Sequence, residues 1–391
     1  MFRAYKYRIS PTNSQKELIT KHIGSSRFVY NLALETKTTA YIGSKHNFSP
    51  FDLIKQLPDL KKECEWLKEV NSQSLQQSIQ NMDIAFKKFF KGAGFPKYKS
   101  KHKGKQSFSI PQNVIVENNL LIIPKFKEGI DIVLHREIKG TIKSATISVT
   151  PTGKYFVSIL VNTNVEMPIK VPITENTTIG IDLGIKDFAI TSEGEVFDNP
   201  KNLLKAQSKL KYIQSKYSKN KGKRTKQKLA LLHEKVVNKR KDFLHKVSTK
   251  LIRENQTIAL ETLAVNNMVK NHNLAQAIND VSWSTFVTML EYKADWYGVN
   301  LLKIGRFAPS SKTCNCCGYI NKELTLKDRS WTCPKCNSVL DRDINASINI
   351  KSFALKNHLS GEHTLKNQDE LPRLREVLTP ETHPISFAVG G

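Results

Sequence analysis

Four cysteines in this chain stand at the spacing of a paired metal knuckle. Cys314 and Cys317 form one C-x2-C, and Cys333 and Cys336 form a second after fifteen intervening residues. Thiolates at that spacing can close on one tetrahedral Zn2+, the arrangement of a zinc ribbon. Gly318, directly after the first pair, can take the left-handed backbone angles of a tight knuckle. Cys316 is the spare thiol, adjacent to a ligand and unable to join without breaking the C-x2-C geometry. Cysteines that merely pack in a core are the competing reading, and the doubled spacing argues against it.

A second chemistry is suggested by carboxylates. Asp182 sits inside the apolar run 178–190, with Gly180 and Gly184 on either side. A charge within a buried strand is costly unless it is paired or bound to a metal ion. Gly184 can let a phosphate or an ion approach the backbone closely; hydrogen bonds within a turn are the plainer explanation of Asp182. Glu261 ends another apolar run, 257–263, and Asp341 and Asp343 follow the second cysteine pair. Asp343 could simply cap the helix that follows. Taken together, acids converging at strand ends can hold two Mg2+ ions, one activating water and the other stabilising the leaving oxygen of a phosphodiester.

Composition limits what such a site would act on. The chain has 391 residues, long enough for two or three domains, and 39% hydrophobic residues suffice for folded cores. Lys plus Arg number 61 against 35 acids, a formal net charge of +26. Charge of that sign and size points to a polyanion partner, nucleic acid first. A basic membrane-surface protein is the competitor, but no apolar run of about eighteen residues could span a bilayer, and the N-terminus lacks a signal-peptide core. Five of the six cysteines lie in the ribbon, leaving only Cys64, so no disulfide framework is expected and the cytoplasm is the expected compartment.

The elements that must position these groups can be read from periodicity. Residues 2–9 alternate aromatic and basic side chains, a half-buried strand in which Tyr5, Lys6 and Arg8 are candidate nucleic-acid contacts. Pro11 ends it, and a helix is expected from about Gln15. A second helical block is expected over 51–90; its polar stretch 74–81 is amide-rich. Lys97, Tyr98 and Lys99 form an extended basic-aromatic segment suited to stacking and phosphate contact. Period-two runs over 107–161 (Phe108/Ile110, Leu121/Ile123, Ile130/Ile132, Ile147/Val149, Phe156/Ser158/Leu160) predict a small barrel or sandwich. The strand at 2–9 could join it, which would make the intervening helices an insertion. A linker is expected over 167–176. Residues 202–252 predict two basic helices joined at a cationic loop with Lys221, Lys223 and Arg224. An amphipathic helix at 283–294 and a strand at 299–304 lead into the ribbon, and a polar tail follows Phe353.

Several of these stretches resemble one family. GIDLGIKDFAIT, ALETL, FAPSSKTCNCCG, WTCPKC and LDRDINASINI, together with RAYKYRISPTNSQ, RFVYNLAL, GFPKYKSK and NKRKDFLHKVSTK, are similar in order to the TnpB (OrfB) proteins of insertion sequences. The similarity runs from Met1 to about Ile350. What it implies is an RNA-guided DNA endonuclease related to type V CRISPR effectors, bacterial or archaeal, cytoplasmic and nucleoid-associated. The implied fold is multidomain α+β: a split RNase H-like (RuvC-like) nuclease over 171–310 and 341–355, with the zinc ribbon inserted at 311–340. A wedge-like β-barrel (1–10 and 104–170) would carry a helical recognition lobe (11–103), and a polar, disordered tail would occupy 356–391. By position, Asp182, Glu261 and Asp343 match the family's catalytic, Mg2+-binding triad, the last chosen over Asp341 on the D-x-N-A pattern. Cys314, Cys317, Cys333 and Cys336 match its Zn2+ ligands. The implied partners are a guide RNA from the element's own end, a double-stranded DNA target with an adjacent motif, and the element's transposase; no membrane is implied. An RNA-guided regulator without cleavage and a transposase acting directly on element ends are the alternatives. All three acids are present, which argues against the first, and nothing resembles a Tyr and paired-His nucleophile site, which argues against the second.

Overall fold

The computed structural model describes residues 1–360 except 326; of the tail expected over 356–391, residues 361–391 lie outside the described residues. The chain divides into two compact units, Met1–Val165 and a second beginning at Glu166. Among the described residues no helix is long and apolar enough to cross a membrane.

The first unit is built on strand β1 (Phe2–Ser10). It is followed by helices α1 (Asn13–Ser44), α2 (Pro50–Lys55), α3 (Leu57–Glu63) and, after a 3-10 turn at Glu65–Glu69, α4 (Ser72–Phe90). Strands β2 (Gln106–Ile110), β3 (Ile115–Glu117), β4 (Leu120–Ile123), β5 (Phe126–Val133), β6 (Thr141–Val149) and β7 (Tyr155–Asn162) complete it. The sheet order is β2-β6-β7-β1-β5-β4-β3, so the first strand lies centrally, antiparallel to β7 and β5, and the four helices interrupt the sheet in sequence. One core cluster takes Tyr5, Tyr7 and Ile9 together with Phe108, Ile110, Leu121, Ile130, Ile147, Val157 and Ile159.

Two expectations are corrected here. In β7 the buried set is Val157, Ile159 and Val161, not Phe156, Ser158 and Leu160. The run is apolar at both parities apart from Ser158, so local pattern could not choose. Pairing with β1 chose: Tyr7 lies opposite Val157 and Tyr5 opposite Ile159, which puts Phe156 on the outer face with Arg8. The block 51–90 is not one helix either. Pro58 lacks the N–H that would continue α2, and Asn71 starts α4 afresh by accepting from the Gln73 N–H. By contrast, α1 runs unbroken for 32 residues from a capping box made by Thr12 and Gln15.

His22 joins the helices to the sheet. Its ring is fully buried, 4.7 Å from that of Phe108 and 5.4 Å from that of Phe126 between centroids. Nδ1 bonds the Leu18 carbonyl at 2.8 Å and Nε2 accepts from the Asn71 N–H at 3.0 Å, so the ring must stay neutral. Burial lowers its pKa to about 4. The unfolded chain therefore binds a proton on this residue at a pH where the folded chain does not, and stability falls as pH drops from about 6.5 toward 4. Between pH 7 and pH 5 the expected loss from this group is about 2 kcal/mol. Urea unfolding of wild type and His22→Phe checks it: the variant should be less stable at pH 7 but lack that part of the acid slope. Equal slopes would contradict the assignment.

The second unit holds β8 (Thr178–Leu183), β9 (Asp187–Thr191), β10 (Val196–Asp198), α5 (Asn202–Asn220), α6 (Lys223–Glu254) and β11 (Thr257–Glu261). After these come α7 (Val265–Met268), α8 (His272–Val281), α9 (Trp283–Tyr297) and β12 (Asn300–Ile304). The hairpin β13 (Ser330–Thr332) and β14 (Val339–Asp341) leads to α10 (Arg342–Leu359). The main sheet has the order β10-β9-β8-β11-β12. β8, β9 and β10 form an antiparallel meander, and β11 runs parallel to both β8 and β12. One face packs on α6, α8 and α9 through Leu244, Leu251, Ile278, Phe286 and Leu290. The other carries α10, where Ile350 and Ala354 meet Ala259, Leu302 and Ile304. The helix extends to Leu359, past the tail boundary expected at 355.

Candidate active site and metal centre

Strand pairing alone places two of the acids side by side. β8 and β11 are parallel, with Ala259 opposite Gly180 and Leu260 opposite Ile181, so Asp182 and Glu261 end neighbouring strands at the same level. Side chains two apart on a strand share a face, and the face is set by Gly180 and Ala259. A Cβ on Gly180 would lie 2.1 Å from the Ser347 carbonyl oxygen of α10. The missing side chain thus lets the helix rest on the strand backbone, and the helix comes down on the face that carries Asp182 and Glu261. Gly184 plays a different part from the one expected: its absent Cβ makes room for the Asp187 carbonyl within the β8–β9 turn, not for a ligand.

Asp343 arrives with the first turn of α10. The capping role belongs to Asp341, whose Oδ1 accepts from the N–H groups of Asp343 and Ile344 at 3.0 and 2.9 Å. That leaves the Asp343 carboxylate for other partners. Burial, then the charges of Glu261 and Asp343, push Asp182 up to about 7, against an opposing pull from Arg342. Burial also raises Glu261. The structure therefore brings the three acids together and holds Asp341 in a backbone cap. Two arginines that the sequence did not single out stand beside them. Arg329, from the segment between the cysteine pairs, donates from Nη1 to Asp343 Oδ2 at 3.3 Å, and Arg342 lies within the D-R-D triplet itself. That triplet was the available signal for Arg342; nothing local marks Arg329.

The four cysteines gather as the spacing predicts. Cys314 and Cys336 Sγ lie 3.6 Å apart, as do those of Cys317 and Cys333. Among the described residues these thiols are the group whose ligand atoms all lie within 4.8 Å of one another and could hold a metal ion; the three carboxylates are more widely spaced. Each knuckle is closed by backbone bonds: Gly318 N–H to Cys314 O with Gly318 at φ 75°, and Asn337 N–H to Cys333 O with Asn337 at φ 58°. Leu324, Trp331 and Leu340 form a small core around the cysteines. Cys316 is exposed and bonds its neighbour Asn315.

The candidate nucleic-acid contacts separate by face. Tyr5 is 8% exposed, packed in the sheet core beneath the Arg136 guanidinium, so it offers no ring to a ligand; alternation along β1 sends it inward. Lys6 and Arg8 point outward and lie over the Phe156 ring at 4.5 and 5.3 Å. Lys97 and Tyr98 are exposed. Lys99 is exposed as a residue, but its ammonium rests 3.9 Å from the Tyr30 ring centroid, and burial lowers it to about 8. In the second unit Lys221 forms the turn between α5 and α6, while Lys223 and Arg224 open α6; all three are exposed.

Residues 158–272 match the family described as "Probable transposase", residues 283–350 the Cas12f1-like TNB domain, and residues 1–45 a helix-turn-helix domain. In the last of these segments the chain forms a strand and a single long helix. A Streptomyces pristinaespiralis protein with the name "Putative RNA-guided DNA endonuclease" is 38% identical over 371 residues, spanning 92% of this chain and 91% of its own. An Escherichia coli K12 protein of that name, InsQ, is 29% identical over 373 residues, covering 89% and 91%. In fold, the chain is similar to Cas12f1 solved with its single guide RNA and target DNA: TM-score 0.53 at 15% identity, over 86% of this chain and 82% of that one.

Proposed function

This chain belongs to the TnpB (OrfB) family, and from that premise we propose that it is an RNA-guided DNA endonuclease of a mobile element. Asp182, Glu261 and Asp343 are its catalytic carboxylates. The observation that carries this assignment is their convergence, close enough that burial and the other two charges hold Asp182 near 7. A sheet order of β10-β9-β8-β11-β12, with acids at adjacent strand ends and a third on a covering helix, supports a split RNase H-like nuclease of the RuvC kind.

The donor set fits divalent cations. Three carboxylates offer hard oxygen ligands of the kind that hold Mg2+, and a site of this type can take two ions. Bound there, the ions would supply an activated water and charge stabilisation at the leaving oxygen of the DNA phosphodiester. The chain's own groups prepare the site. Asp341 fixes the first turn of α10 by capping it. Arg329 holds one oxygen of Asp343. Glu261 stands on the rigid end of β11. The four thiols of the ribbon form a closed, soft donor set that fits a structural Zn2+.

Guide RNA and double-stranded DNA are the partners. The net charge of +26 suits phosphate contact, and Lys6, Arg8, Lys97, Tyr98, Lys99, Lys221, Lys223 and Arg224 are the contact residues assigned here. The first unit serves as the wedge-like domain with a helical recognition insertion, its seven-stranded sheet sharing one core. Base pairing to the guide selects the target while side chains read a short adjacent motif, and the element's transposase is its functional partner. The test is Mg2+-dependent cleavage of a guide-matched plasmid library with randomised flanking bases, using the RNA from the element's end. Cuts confined to one flanking motif are expected. Guided binding without cuts at any Mg2+ concentration would sink the nuclease reading and leave an RNA-guided regulator.

A further inference from the structure

We propose that Asn345 and Asn349 are positioning residues that couple the four-cysteine centre to the carboxylate site, so that the state of the ribbon's metal sets where Asp343 stands. The inference rests on the reading of Asp182, Glu261 and Asp343 as the catalytic acids.

Both asparagines lie on α10 and are almost completely buried, at 1% and 4% exposure. Their amides are spent on the first knuckle. Asn345 Nδ2 donates to the Thr313 carbonyl at 2.8 Å, and its Oδ1 accepts from the Asn315 N–H at 2.9 Å. The side chain thus grips the main chain on both sides of Cys314, one of the four thiol ligands. Asn349 Nδ2 donates to the carbonyls of Thr313 at 2.6 Å and Ser310 at 2.8 Å. Four hydrogen bonds therefore join the helix to residues 310–315, all between side-chain amides and main-chain groups. A helix that needed only to pack would place apolar residues at such positions, because burying an amide is costly until each bond is made. An amide carries both a donor and an acceptor and so fixes the orientation of the peptides it binds as well as their distance.

The acid to be positioned is two residues away, in the same helical turn. A second junction brackets it from the other side: the Arg342 N–H bonds the Arg329 carbonyl at 2.8 Å, and the Arg329 guanidinium bonds Asp343. Residues 342, 345 and 349 thus tie two separate segments of the ribbon, 310–315 and Arg329, to the start of the helix that presents Asp343. A cation closing the four thiols holds the Cys314 knuckle in shape; its loss frees the peptides that Asn345 and Asn349 hold. The first turn of α10 then loses its anchor, and with it the carboxylate.

The experiment uses full-length protein with its guide RNA and the variant Asn345→Ala. Two quantities are measured: release of zinc to a chromogenic chelator, and the Mg2+ concentration giving half-maximal cleavage. Release is expected to quicken about tenfold and the half-maximal Mg2+ to rise about tenfold, the scale on which outer-shell partners of metal sites act. Cleavage should recover at high Mg2+, and target binding should not change. A merely structural defect would lower the melting temperature without moving the Mg2+ requirement. Ser347→Ala removes an equally buried hydroxyl bonded only within α10, to the Ile344 carbonyl, and should leave both quantities unchanged. If Asn345→Ala proves too unstable to assay, Asn349→Ser is read in the same way. Wild-type values for both quantities in a folded variant overturn the proposal. If the wild type cuts no guided target, the nuclease reading fails separately. Amide exchange over residues 342–346 then decides the coupling: faster exchange on zinc removal sustains it, and unchanged exchange overturns it.

Discussion

Asp182→Asn is expected to reduce guided cleavage by at least about 10^3-fold while leaving guide-RNA and target binding intact, because it removes the charge proposed to ligate metal and almost no volume. The same substitution should stabilise the Mg2+-free protein. Asp182 is held near 7 in the fold, chiefly by burial and then by Glu261 and Asp343, against an ordinary value of 3.8. Between those values the folded chain keeps a proton that the unfolded chain has lost. The stability linked to this group is therefore fully present below pH 3.8 and drains away as pH rises through 7. At pH 8 the deficit amounts to about 4 kcal/mol, which asparagine, always neutral, does not incur. Thermal unfolding at pH 6 and pH 8, with and without Mg2+, measures both effects. Wild type should lose stability toward pH 8 without Mg2+ and regain it when Mg2+ is added, and Asp182→Asn should respond weakly to either. A variant that cuts near the wild-type rate would remove Asp182 from the site. A wild type insensitive to Mg2+ in its melting would remove the ions from the three carboxylates.

Cys333→Ser should have the second large effect. Cys333 is wholly buried in the small core formed with Cys314, Leu324, Trp331 and Leu340. A structural Zn2+ contributes on the order of 10 kcal/mol to a domain of this size, and four residues of core cannot replace it. Metal content is expected to fall from one ion per chain to none, residues 311–340 to lose their protection from amide exchange, and cleavage to drop about 100-fold or more through the link to Asp343. Cys316→Ser, at the exposed thiol outside the cluster, should change none of these. An unchanged zinc stoichiometry in Cys333→Ser would refute the ligand set.

What the sequence could determine was whatever depends on close spacing. The two C-x2-C pairs, the glycine after the first, and the apolar runs that carry Asp182 and Glu261 are all patterns within a few residues. Local geometry translates them directly into knuckles and strand ends. The net charge needed no fold at all. The similarity of ordered motifs to TnpB proteins rests on the same local stretches.

Tertiary structure decided the choices that local pattern left balanced. The D-x-N-A pattern favours Asp343 over Asp341; in the fold the main-chain N–H groups of Asp343 and Ile344 occupy Asp341 and leave the Asp343 carboxylate outside the cap. Either face of β7 could have been buried until β1, more than 140 residues earlier in the chain, set the register and turned Tyr5 inward with Val157 and Ile159. Gly180 reads as a glycine beside an acid, and only the approach of α10 shows that its missing side chain admits a helix. Arg329 reaches Asp343 across a ribbon whose own fold brings them together. Asn345 and Asn349 look like ordinary polar helix residues until the carbonyls of Ser310 and Thr313 are in place to receive them. Apart from the Asp341 cap, the deciding partner is distant in sequence, and a hydrogen bond or a packing contact to it has no signature in the residues nearby.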